Sequence, residues 1–408
     1  MREKMERKAF STGQDGMPPL NESLYAIKAS GIREFSRLAA QTPGCVALTL
    51  GEPEYDTPEP IRTAAKISLD EGDTHYIENA GKAQLRQAIS RFEKERQGLD
   101  YEAEEIIVTA GATEGLFLSL FGILNPGDQV IVPMPAFPLY EEIITLCRGE
   151  MVPLPTEEDG FYINEKKLKE KISDKTKVIL LNSPNNPTGI VYDRDSLRAV
   201  EEAVRGTNIY VICDDVYDQL AYEPGYEGFA SYGRKKGLRG QILVVQSFSK
   251  PYAMTGWRMG YLLGDGEIIG RLKLLHQYLV VSTPSPFQKA AIMALKQDCG
   301  RMRDSYKQRR NFMTARLREM GLPVAEPGGA FYVFPSIQKF GLDSETFCRR
   351  MIAEAGLAAT PGACFGVEGY IRLTYCYTRE EIEEGLRRLE SFLHILEEEM
   401  GEKQNDRV

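Results

Sequence analysis

Histidine is nearly missing from this chain. His75, His276 and His394 are the only three in 408 residues, with no HExxH run and no paired-ligand spacing. That excludes the common imidazole frames of a zinc or di-iron centre, and no metal site is expected. The seven cysteines (45, 147, 213, 299, 348, 364 and 376) never form CxxC, and several lie in apolar runs. They read as small buried hydrophobes in a reducing compartment. Basic blocks are also lacking: the formal net charge is −9, which argues against nucleic acid as a partner. No run approaches the length of a membrane span, and no apolar stretch follows the charged opening MREKMERKAF. Neither a membrane association nor a signal peptide is expected, and the cytoplasm is the expected location.

What is present is ample apolar material. At 408 residues and 42% hydrophobic, the chain can bury a large core and should divide into about two domains. Residues 1–46 read as an arm and a first helix (30–41, with Ser30 as cap) that pack on a second domain or a partner subunit. Residues 47–290 form the large domain, 291–400 a smaller α+β domain, and 401–408 a flexible tail. Within the large domain, 106–109, 242–245 and 261–264 read as strands, and 129–140, 177–192 and 208–220 as strands running into turns or polar loops, with helical patterns between them. This is an α/β fold with a mostly parallel central sheet between helices. In such sheets the polar groups at the carboxyl ends of strands form the site, and residues 111–113, 137, 186, 214 and 250 all fall there. Two further strands are expected within 327–337 and 369–376, around a helix at 343–355. The closing helix at 379–399 carries Ile382, Leu386, Leu389, Phe392 and Leu396 on one face.

The stretch 241–260, QILVVQSFSKPYAMTGWRMG, concentrates the chemistry. A buried strand ends at Ser247-Phe248-Ser249, offers Lys250, and is followed by Arg258. A lysine at a strand end can form a Schiff base with a carbonyl cofactor, while hydroxyls and a guanidinium can hold its phosphate. The stretch alone is equally compatible with a surface lysine on a turn. Gly111-Ala112-Thr113, where a strand meets a helix, can expose first-turn amides to an anion, though small residues also serve tight turns.

Taken in order, NNPTG (185–189), DDVY (214–217), SFSK (247–250) with Arg258 eight residues on, and YIRLTY (370–375) resemble the fold-type I pyridoxal-phosphate (PLP) enzymes, specifically the class I/II aminotransferases. The resemblance runs from about Ile32 to Leu393. It implies PLP as cofactor, with Lys250 as its Schiff-base partner and proton carrier, and Asp214 pairing with the pyridine nitrogen. Tyr217 and Asn186 would bond the ring oxygen, and Phe137 would stack on the ring. The phosphate would fall to Ala112, Thr113, Ser247, Ser249 and Arg258, with Tyr76 reaching in from the partner subunit of a homodimer. Arg372 would clamp the substrate α-carboxylate, with Gly51 and Asn186 beside it.

The expected reaction is transfer of an amino group from an L-amino acid to a 2-oxo acid, 2-oxoglutarate being the usual acceptor of the family. One common bacterial aspartate subgroup carries a lysine in the phosphate loop to read a distal carboxylate. Here that position matches Thr113, so aspartate-only specificity is not expected. A carbon–sulfur β-lyase would use the same lysine, aspartate and arginine. A cofactor-binding regulator usually adds a basic DNA-binding module, and here only a 30-residue arm precedes the fold.

Overall fold

The computed structural model describes residues 20–405. First come α1 (Glu22–Ala26), α2 (Gly31–Gln41), β1 (Val46–Ala47), α3 (Glu59–Asp70) and α4 (Ala83–Gln97). Strand and helix then alternate: β2 (Ile106–Thr109), α5 (Ala112–Ile123), β3 (Gln129–Met134), α6 (Leu139–Leu146), β4 (Glu150–Pro155) and α7 (Glu165–Lys171). Next are β5 (Thr176–Asn182), α8 (Arg194–Val204), β6 (Tyr210–Asp214), α9 (Phe229–Lys235), β7 (Ile242–Ser247) and β8 (Gly260–Leu263). After α10 (Gly266–Leu279), α11 (Ser285–Ala294) and α12 (Gly300–Glu319) come β9 (Tyr332–Val333), α13 (Ser344–Ala355), β10 (Leu357–Ala358), β11 (Thr360–Pro361), β12 (Ile371–Thr374) and α14 (Arg379–Asn405).

The large sheet has seven strands in the order β2-β8-β7-β6-β5-β3-β4. All neighbours run parallel except β8, which is antiparallel to both β2 and β7. Helices cover both faces, which is why the central strands read as unbroken apolar runs. Along β7, Ile242 and Val244 face one apolar layer and Leu243 and Val245 the other. β6 divides in the same way, with Val211 and Cys213 opposite Ile212. β4 escapes the sequence pattern. EMVPLP carries prolines at 153 and 155, and only Leu154 is buried, as suits a strand paired on one side only.

A second core gathers the three-stranded antiparallel sheet β11-β12-β9, α13 and α14. Ile382, Leu386, Leu389, Phe392 and Leu396 are all buried there, on the face the sequence marked. The N-terminal segment joins this region. β1 pairs in parallel with β10, and Phe35, Ala39 and Leu48 enter the same core. Ser30 does precede α2, but its side chain makes no cap bond; the backbone oxygen of Ser30 takes the Glu34 amide at 3.2 Å. The first 19 residues of the expected arm lie outside the described residues. α14 runs on to Asn405, so residues 401–405 of the expected flexible tail continue the helix.

Candidate active site

The carboxyl ends of β5, β6 and β7 build one side of the site. Asn182 and Asp214 close their strands side by side, and Asn182 Nδ2 donates to the Asp214 backbone oxygen at 2.9 Å. Asn182 Oδ1 accepts the Asn186 amide at 2.8 Å, which hangs the NNPTG loop from the end of the sheet. Gly189, at φ 72°, lets this loop press on the second core: an added Cβ would meet Pro327 Cβ at 2.5 Å.

Asp214 is 4% exposed. The Tyr140 hydroxyl donates to its Oδ2, while its buried Oδ1 has no partner among the described residues. Burial lifts the carboxyl to about 6, against the pull of that hydrogen bond. Lys250 lies just beyond β7, where its Nζ donates to the Gly51 backbone oxygen at 2.6 Å and sits 5.9 Å from the Phe331 ring centre. Burial draws its amine down to about 8, so about a tenth of it is neutral at pH 7.

The anion cradle forms where β2 meets α5. Gly111, at φ 77°, precedes the helix, and the Arg258 guanidinium crowds it so closely that a Cβ there would lie 2.5 Å from Nη2. Gly260 is equally tight, with a built Cβ 2.9 Å from the Ala112 nitrogen. Exposed first-turn amides of Ala112 and Thr113 beside a guanidinium are suited to a phosphate. Arg258 also donates to the Thr255 oxygen at 2.9 Å, and the Ser247 hydroxyl accepts the Ser249 amide at 3.0 Å.

From the second core, β12 presents Arg372, 2% exposed. Its Nη1 donates to Asn186 Oδ1 at 2.8 Å and its Nη2 to the Thr49 oxygen at 2.6 Å, while Nε has no partner among the described residues. The guanidinium lies between the Tyr332 and Phe365 rings, 4.6 and 4.8 Å from their centres. Among the described residues its hydrogen-bond partners are neutral oxygens, and burial lowers its pKa. A guanidinium desolvated without a counter-ion is prepared for a carboxylate. Tyr217 and Tyr332 share a hydrogen bond of 2.6 Å. Gly51 is glycine because a Cβ would stand 2.1 Å from the Tyr332 hydroxyl.

The residues expected from the sequence thus fall into linked groups. Lys250 joins Gly51; Arg372 joins Asn186 and, through Asn182, Asp214; Arg258 joins Gly111, and Gly260 packs on Ala112. Phe137 sits edge-on to Tyr140 at 6.0 Å. Tyr76 is the exception, 91% exposed on the connection between α3 and α4. Sequence reasoning missed Tyr140, Asn182, Thr49 and Tyr332 as site residues. The only hint was Tyr140 one helical turn after Phe137.

A strand-end lysine, a buried carboxylate with one free oxygen, an anion cradle and this two-part α/β fold define a fold-type I PLP enzyme. The chain belongs to the aminotransferase class I and II family, whose profile matches residues 43–389. It is 39% identical over 380 residues to a probable N-acetyl-LL-diaminopimelate aminotransferase of Bacillus subtilis, covering 92% of this chain and 95% of that one. It is 38% identical to an aspartate aminotransferase of Pyrococcus horikoshii, covering 91% and 96%. Among solved structures, a Thermus thermophilus aspartate aminotransferase with maleate superposes with a TM-score of 0.87 at 32% identity, covering 92% and 100%. An aromatic aminotransferase of Pyrococcus horikoshii gives 0.83 at 36% identity, covering 90% and 99%. The activity of the class is PLP-dependent amino transfer.

Proposed function

We propose that the protein transfers the amino group of several L-amino acids to 2-oxoglutarate, as a homodimer with shared sites. The observation that carries the amino-acid assignment is Arg372, a buried cation with neutral partners and a free Nε. 2-Oxoglutarate rests on the habit of the family the chain resembles. A donor range wider than aspartate rests on Thr113, which offers an exposed hydroxyl where a distal carboxylate would need a cation. The relatives' names, spanning aspartate, aromatic and N-acetyl-LL-diaminopimelate aminotransferases, agree with that breadth.

The chain's residues fit PLP. The free Asp214 Oδ1 suits the ring N–H, the space bounded by Gly111 and Arg258 suits the phosphate, and the lowered Lys250 amine suits the aldehyde. When bound, PLP supplies an electrophilic carbon and a conjugated ring that takes up the electron pair left by a Cα proton. Asp214 would keep the ring nitrogen protonated by charge pairing. Tyr217 and Asn186 would hydrogen-bond the ring oxygen, and Phe137 would pack on the ring. The phosphate would be held by Ser247, Ser249, Arg258 and the Ala112 and Thr113 amides. Arg372 orients the substrate by its carboxylate, which places the Cα hydrogen within reach of Lys250. The neutral Lys250 amine would take up that Cα proton as a base and, once protonated, would serve as the acid that gives it back.

The dimer rests on exposed apolar side chains: Tyr76, Phe121 on α5, and Leu274 and Tyr278 one turn apart on α10. Seven free thiols suit a reducing compartment, which supports a cytoplasmic enzyme. A donor panel with 2-oxoglutarate, read as glutamate formed, tests the substrate assignment. Glutamate from aromatic and aliphatic donors as well as aspartate is expected, and glutamate from aspartate alone would contradict it.

A further inference from the structure

The last turn of α10 buries His276 completely, and both ring nitrogens are engaged. Nε2 lies 2.7 Å from the backbone oxygen of Asn79, which can only accept, so Nε2 carries a hydrogen. Nδ1 lies 2.7 Å from Oε1 of Glu114. Glu114 is buried in the first turn of α5, where its other oxygen accepts the Ala110 amide. Nδ1 and Oε1 therefore share one hydrogen, and the two side chains form a buried hydrogen-bonded pair.

The two ends of this chain of contacts meet two different parts of the cofactor machinery. Glu114 directly follows Ala112 and Thr113 of the cradle. Asn79 lies three residues past Tyr76, and its side chain donates to the Val281 oxygen at 2.8 Å. The next carbonyl, Ala80, accepts the Val108 amide of β2 at 2.9 Å. At the far end of the loop, Asp73 accepts from Lys82, Ser68 and Ser285. A buried hydrogen-bonded pair adds little stability compared with apolar packing, but it fixes direction and distance.

Resting on the shared-site homodimer proposed above, we infer that Glu114, His276 and the Asn79 backbone act as a positioning relay. The relay fixes each subunit's phosphate cradle relative to the Tyr76 that it lends to its partner. Neither side chain touches the reacting atoms; both act through the residues they hold.

The test uses co-expressed, differently tagged subunits, one carrying Lys250→Ala so that only one site holds PLP covalently. The rate of PLP release from that site is followed by absorbance. His276→Ala is expected to speed release about tenfold when placed in the intact subunit, through the cradle, and comparably when placed in the Lys250→Ala subunit, through Tyr76. Glu114→Gln keeps hydrogen bonding without the charge; it should give a smaller effect in both placements, and it carries the test if His276→Ala does not fold. Acceleration from one placement only, or from neither, overturns the relay. Tyr76→Phe in the Lys250→Ala subunit checks the reading beneath it. If that change leaves release untouched, the shared site itself is wrong, whatever His276→Ala does in the intact subunit.

Discussion

The Tyr140 hydroxyl reaches Asp214 Oδ2 at 2.6 Å, and the other oxygen of the same buried carboxylate is left without a partner. One oxygen is spent on holding the group in place. The other is kept for a donor that the protein does not itself supply. A desolvated, half-satisfied carboxylate is costly to the fold, and that cost has a pH signature.

In the cofactor-free protein, Asp214 titrates at about 6 instead of 3.8 because of burial. Its folded value is raised, so below about pH 4 the group is neutral in both folded and unfolded chains and imposes no penalty. As pH rises from 4 to 6 the unfolded chain ionises first and stability falls, with the full penalty of about 3 kcal/mol reached above pH 6. Asp214→Asn removes that penalty. The variant should melt higher than the parent at pH 8 and equally near pH 4, while turnover drops on the order of a hundredfold. Equal melting at both pH values would contradict the assignment.

Lys250 carries a shift of the opposite sense, from 10.5 down to about 8, again because burial disfavours its charged form. The nucleophilic amine therefore accumulates as pH rises through about 8. The rate of PLP capture should increase from pH 6.5 to 9 with a midpoint near that value. Lys250→Ala should abolish covalent capture, so that borohydride leaves no adduct on the protein, with turnover down at least about a thousandfold. A borohydride-stable adduct in that variant would place the reactive amine elsewhere.

Arg372→Ala should raise KM for amino acids by about a hundredfold, since it strands the substrate carboxylate in a dry site. Arg372→Lys keeps the charge but not the fork, and should still cost about tenfold. The signature is selectivity: primary amines without a carboxylate gain nothing from Arg372, so both variants should treat them as the parent does. Loss of activity toward such amines in equal measure would make Arg372 a structural cation.

How much of this could be read in the sequence follows from where the partners lie. β5, β6 and β7 are legible because both faces are covered, so their central positions form apolar runs (Val178–Leu181, Val211–Cys213, Ile242–Val245) before the polar residues that end them. β4 is not, because an edge strand with two prolines shows neither alternation nor a run. Lys250, Asp214 and Arg372 are betrayed by charge at apolar strand ends. Tyr140 and Tyr332 are not, because each finds its polar partner more than 70 positions away and otherwise looks like core. The phosphate cradle is intermediate: its small residues suggest a tight turn, and only the Arg258 guanidinium against Gly111 distinguishes it from one.

The central claim is amino transfer, and one single-turnover experiment tests it most directly. The PLP-loaded protein is mixed with each natural amino acid in turn, without an acceptor, while cofactor absorbance and released oxo acid are followed together. The account predicts one equivalent of the matching oxo acid per site and a cofactor left in its aminated form. Pyruvate with ammonia or sulfide, released over many turnovers with the cofactor spectrum restored each time, would contradict it and make the protein a carbon–sulfur lyase.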